Sequence, residues 1–75
     1  MGKEVTMEIA TGILLAATLV SAVKNLYELT FMIDDDPAKQ RKLKCRTSEF
    51  NRNSKARHYF LTIEGGRVVG MEPVD

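Results

Sequence analysis

Between residues 5 and 28, apolar side chains return every three or four positions: Val5, Ile9, Ile13, Ala16, Val20, Val23 and Tyr27. Glu4, Glu8, Thr11, Thr18, Ser21, Asn25 and Glu28 trace a narrow polar stripe between them. This spacing predicts a long helix over 5–28, buried on more than one side. The stretch is rich in Ala, Leu and Met, which favour helices. Thr6 is placed to cap its start, and Glu8 suits the first turn.

After that the period changes to two. Leu29, Phe31 and Ile33 alternate with Thr30, Met32 and Asp34, predicting a strand over 29–34. Asp34-Asp35-Asp36-Pro37 breaks it and leaves room for a short helical turn at 37–40. A second strand, over 41–48, sets Leu43, Cys45 and Thr47 on one face and Lys42, Lys44 and Arg46 on the other. Asn51 to Ala56 is polar and reads as a loop. Two further strands, 58–64 and 67–72, flank Gly65-Gly66 as a hairpin, because paired glycines supply the positive φ of a two-residue turn. The turn pairs Glu64 with Arg67, Ile63 with Val68, Thr62 with Val69 and Phe60 with Met71, and Gly70 marks a possible bulge.

These elements predict an α+β domain over residues 1–75, with one long N-terminal helix packed on a three- or four-stranded antiparallel meander sheet. The helix would span ~36 Å. The sheet would measure only ~19 by ~22 Å. The overhang is apolar and needs a cover. The sequence therefore predicts a homodimer through the helix, with Ile9, Gly12, Ile13, Ala16, Ala17 and Val20 in the interface. A helix broken at Gly12 would remove the overhang.

Composition narrows the class. Seventy-five residues make one small domain, and a chain of this size buries only about 60% of its unfolded surface. The single cysteine, Cys45, excludes an internal disulfide and fits a reducing, cytoplasmic setting. One cysteine and one histidine show no zinc-ligand spacing, and no cofactor is expected. Glu4 and Glu8 precede the apolar run where a secretory signal would be basic. Met1-Gly2-Lys3 fits the myristoylation pattern only loosely. The uncharged run from Ile9 to Val23 would span ~22 Å as a helix, short of the ~30 Å of a bilayer core, which argues against a membrane partner.

Charge supplies the functional lead. Eight of the eleven basic residues lie between Lys39 and His58, with Glu49 the only acid there. Lys42, Lys44 and Arg46, joined by Arg52, Lys55 and Arg57, can follow a phosphate backbone, and Tyr59 or Phe60 can offer a stacking surface. The expected function is a small, dimeric, non-enzymatic protein that binds nucleic acid with a basic sheet face. The alternative is a protein–protein interaction module, an inhibitor or adaptor, docking the same segment on an acidic partner. Turn chemistry accounts for Asp34-Asp35-Asp36 better than a divalent ion does. A Cys45–His58 dyad competes with the simpler reading of Cys45 as a small core hydrophobe. Gly65-Gly66 precedes no helix and is not a phosphate loop.

Overall fold

The computed structural model of the protein describes residues 7–53 and 55–74. Five strands and one short helix follow in order: β1 (Met7–Ser21), β2 (Leu26–Ile33), β3 (Gln40–Arg46), α1 (Thr47–Asn53), β4 (His58–Glu64) and β5 (Arg67–Pro73). The strands close into a barrel in the order β1-β2-β3-β5-β4, with β4 returning to β1. All pairings are antiparallel except β3 with β5. The chain runs β1-β2-β3 as a meander, then crosses through α1 so that β4 lies beside β1. That is a Greek key.

The predicted α+β fold is therefore wrong in its largest element. Residues 7–21 form a strand, and the chain turns at 22–25 where the sequence predicts continuous helix. Lys24 N–H donates to Ser21 Oγ at 3.1 Å, Asn25 N–H donates to the Ala22 carbonyl at 3.3 Å, and Asn25 takes φ 52°. The predicted cap at Thr6 lies outside the described residues.

Barrel closure explains why strand wins over helix. The first part of β1, Met7 to Ile13, pairs with β4. The last part, from Gly12 onward, pairs with β2. No helix can supply backbone hydrogen bonds to two neighbours in this way. Ala16 to Val20 are exposed on both faces of the strand, so no two-residue alternation marks this half. With apolar residues on both faces, a helical spacing can be picked out by chance. Bulges near Leu15 and Val20 break the register further.

The predicted dimer falls with the helix. Its interface residues are scattered around a strand: Gly12 is buried in the barrel, Ile13 is half-buried, and Ile9, Ala16, Ala17 and Val20 are exposed. Among the described residues, no helix is long and apolar enough to cross a membrane. The last part of β1 projects past β4 as an apolar arm that exposes Leu15, Leu19 and Val20, with Val23 in the turn beyond.

Inside, Leu29, Phe31, Ile33, Leu43, Cys45, Tyr59, Leu61, Ile63, Val68 and Met71 make one core. Phe31 and Tyr59 meet edge to face, with ring centroids 6.3 Å apart. Phe50 of α1 packs on Tyr27 of β2 at 4.9 Å, which fastens the helix to the barrel. Arg41 and Glu8 form a two-pronged ion pair at 3.0 and 3.4 Å, linking β3 and β1, which do not pair as strands. Both groups are substantially exposed, so the pair contributes at most about 1 kcal/mol.

The β4–β5 hairpin starts in the predicted register, with Glu64 opposite Arg67 and Ile63 opposite Val68. It then shifts by one residue, so that Thr62 meets Gly70 and Leu61 meets Met71. Val69 is the extra residue of this bulge. The shift turns Met71 into the core, at 2% exposure, where an unbroken register would place Gly70 on that face.

Two substitutions test this packing. A Cβ on Gly12 would lie 3.1 Å from both Leu61 Cδ1 and Phe31 Cδ1, and 3.2 Å from Phe31 Cβ. Gly12→Val should lose about 1–3 kcal/mol of unfolding free energy in a urea titration. The Tyr59 hydroxyl shares its proton between the carbonyls of Asn53 (2.5 Å) and Ala56 (2.6 Å), tying the end of α1 to β4. Tyr59→Phe should cost about 1–2 kcal/mol in the same measurement.

Candidate functional site

A strand with one wall of a barrel core behind it must send alternate side chains to water. In β3 the inward set is Leu43 and Cys45, at 1% and 0% exposure. The outward set is Lys42, Lys44 and Arg46, all exposed. The two predicted faces of 42–46 are thus present, although the strand ends at Arg46 and Thr47 opens α1.

None of these three cations forms an ion pair with any described residue. Their β2 neighbours are Thr30 opposite Lys42, Glu28 opposite Lys44 and Leu26 opposite Arg46. On the other side, β5 adds Arg67, which stands beside Lys44 in the parallel ladder. Lys44 N–H donates to the Gly66 carbonyl at 3.2 Å, which holds the β4–β5 turn against β3. Arg67 was missed from sequence because Lys44, its neighbour in the ladder, lies more than twenty positions earlier. Only the crossover through α1 brings β5 alongside β3.

The remaining predicted residues divide. Arg52 is exposed on α1 and follows directly from the end of β3. Lys55 and Arg57 are exposed in the α1–β4 connection, where the Arg57 carbonyl accepts Leu14 N–H at 2.7 Å, so this part of the chain runs beside β1. Tyr59 is fully buried and offers no stacking surface. Its position in β4 points inward with Leu61 and Ile63. Phe60 points out, at 50% exposure, but its strand neighbours are Thr11 of β1 and Glu72 of β5.

The aspartate triplet serves the β2–β3 turn. Asp34 and Asp35 take φ 54° and 57°, and Asp36 Oδ1 accepts Ala38 N–H at 2.9 Å. Where the sequence leaves room for a short helical turn at 37–40, the chain makes one hydrogen-bonded turn, Lys39 N–H donating to the Asp36 carbonyl at 2.9 Å, and no helix. No group of side chains able to hold a metal occurs among the described residues.

Cys45 and His58 make separate contacts. The thiol faces the core and donates weakly to the Arg46 carbonyl at 3.4 Å. His58 Nε2 lies 3.8 Å from Asp35 Oδ1. Burial, aided by the nearby Glu49 carboxylate and opposed by a backbone hydrogen bond from Phe50, pushes the Cys45 thiol up from 9.0 to about 11. A thiol that holds its proton at neutral pH is a poor nucleophile.

Comparison with protein-family models, curated proteins and solved structures found no match to the chain.

The Cys45 environment has a measurable consequence. The folded protein keeps a proton that the unfolded chain releases near pH 9.0, so this contribution to stability is whole below that pH and declines as pH rises toward about 11. The stability difference between the wild type and Cys45→Ala should shrink by about 2–3 kcal/mol between pH 8.5 and 11, read from urea unfolding. At pH 7.5 the native thiol should resist a disulfide reagent that labels the urea-unfolded chain at once.

Proposed function

We propose that this protein is a non-enzymatic binder of single-stranded nucleic acid, using the outer face of β3. The observation that carries the reading is the row Lys42, Lys44 and Arg46. These cations are exposed, free of ion pairs with described residues, and held on one rigid strand. Alternate residues of a strand stand about 6.7 Å apart, which is on the scale of successive phosphates along an extended nucleic-acid strand. Three fixed charges in line can each displace a counterion from such a backbone.

The architecture supports the reading by analogy. Five-stranded Greek-key barrels of the oligonucleotide- and oligosaccharide-binding class present the face of strands 2 and 3, flanked by the loops that join strands 1–2 and 4–5. The corresponding parts here are the β2–β3 face, the turn at 22–25 with Lys24, and the Gly65-Gly66 turn followed by Arg67. The row of cations gives the analogy local content. Thr30 and Met32 on β2 are neutral neighbours against which bases can lie. The face carries no exposed aromatic side chain, which favours backbone contact over base-specific reading. A reducing, cytoplasmic setting belongs to the same proposal and rests on the unpaired thiol.

Fluorescence anisotropy with labelled single-stranded oligonucleotides tests it. Binding should weaken from 50 to 200 mM salt with a log–log slope of about −2 to −3, as expected for three or four phosphate contacts. The triple variant Lys42→Glu, Lys44→Glu, Arg46→Glu should lose at least about tenfold in affinity with its circular dichroism unchanged. Absence of binding at low salt, or binding indifferent to the triple variant, sinks the proposal.

A further inference from the structure

β3 and β5 pair over only two positions, Lys44 with Arg67 and Cys45 with Val68. Beyond them the strands part. β3 ends at Arg46 and the chain coils into α1, while β5 continues through the Val69 bulge. The gap between them is a cavity of about 370 Å³, lined by Arg46, Ser48, Glu49, Arg52, Arg67 and the valines 68 and 69. Three arginines thus come from three different elements to one opening. Residues 48, 49 and 52 share a helix face, because positions three and four apart are neighbours on a helix.

The charges in this cavity do not cancel. Three arginines and one glutamate line it, a surplus of two formal positive charges. Among the described residues none of the three arginines has an ion-pair partner. The one carboxylate is already engaged, as Glu49 Oε2 accepts from Asn53 Nδ2 at 3.0 Å. A planar guanidinium binds phosphate oxygens in pairs, and arginines gathered in a recess are the usual means of holding phosphate. The volume falls within the range of small-ligand sites, roughly 300–1,000 Å³.

We infer that this cavity binds a phosphomonoester, either the terminal phosphate of a nucleic-acid strand or the phosphate of a free nucleotide. The choice of monoester over diester follows from charge. A phosphomonoester carries about −1.5 to −2 at pH 7, which matches the surplus of two; an internal phosphodiester carries only one negative charge. Val68, at 3% exposure, is the most buried of the lining residues. The strand-end form rests on the nucleic-acid reading above, since Arg46 belongs to both surfaces; the free-nucleotide form does not need it.

The test uses the full chain with oligonucleotides of one sequence bearing a 5′-phosphate, a 3′-phosphate or hydroxyl ends, and separately adenosine monophosphate against adenosine by calorimetry. If the strand end is the ligand, one phosphorylated end should bind at least about tenfold tighter than the hydroxyl-ended strand at pH 7.5, and this ratio should fall below pH 6 as the second phosphate charge is lost. Arg52→Ala should bring the ratio close to one, and Arg52→Lys should restore only part of it. If the free nucleotide is the ligand, adenosine monophosphate should bind where adenosine does not, even if no oligonucleotide binds; that result would keep the cavity and remove the strand reading. Equal binding of all three oligonucleotides with no binding of the mononucleotide would overturn the inference and leave the β3 face intact. A phosphate preference that persists in Arg52→Ala would overturn its assignment to this cavity.

Discussion

Everything in this fold depends on β1 serving two partners in succession. Its first part closes the barrel against β4, and its second part starts the meander with β2. The handover falls at Gly12 and Ile13, which pair with both neighbours. There the absent side chain at Gly12 lets Phe31 and Leu61 fill the interior. A small chain with no disulfide has few other means of closing its sheet. Closure also removes the exposed edges that an open sheet of this size would present. The last part of β1 runs past β4, where the chain exposes Leu15, Leu19 and Val20, and the β3–β5 seam is paired over two positions alone.

From closure follows the sorting of charge. Once Leu43 and Cys45 are committed to the interior, Lys42, Lys44 and Arg46 have no choice of side. The parallel contact with β5 then places Arg67 next to Lys44, and the turn into α1 brings Arg52 near Arg46. Three segments that are distant in sequence thus contribute cations to one side of the barrel. Repulsion among them is the cost of the arrangement. It is tolerable because the groups are solvated, and a polyanion would relieve it.

Legibility from sequence followed how strongly each segment is buried on one face. In β3 and β4 strict alternation reflects one wet and one dry side, and the Gly65-Gly66 turn fixes where the hairpin begins. These segments could be read almost to the residue. The bulge at Val69 could not, although Gly70 was a fair hint. β1 was misread because both of its faces carry apolar residues, so the sequence holds no alternation to find. Its true boundary signal was Lys24-Asn25, which adopts a turn with positive φ at asparagine; within a presumed helix these looked like members of a polar stripe. Thr47-Ser48-Glu49 followed by Arg52 was an unread helix signal, with an acid in the first turn and a base in the last. The short helix has one apolar anchor, Phe50, too little to register as periodicity.

The same distinction explains what was visible of the candidate site. A strand's own cations can be assigned to a face from local alternation, and Lys42, Lys44 and Arg46 were. Tyr59 was misassigned because its neighbour Phe60 is equally aromatic and only the strand's phase decides which ring points in. Arg67 and the arginine-lined recess depend on which strand lies beside β3, and that is a property of the crossover. A meander would have put β4 next to β3, with no gap for α1 to line. The parallel neighbour leaves one instead, because β3 ends at Arg46, just past the two paired positions, while β5 runs on to Pro73. The recess is thus a consequence of topology, while its charge is a matter of sequence. Arginine at 46, 52 and 67 is not required by packing, as all three are exposed and none supports the core. Nothing in the fold needs three cations at that opening, and an anionic ligand would give them a use.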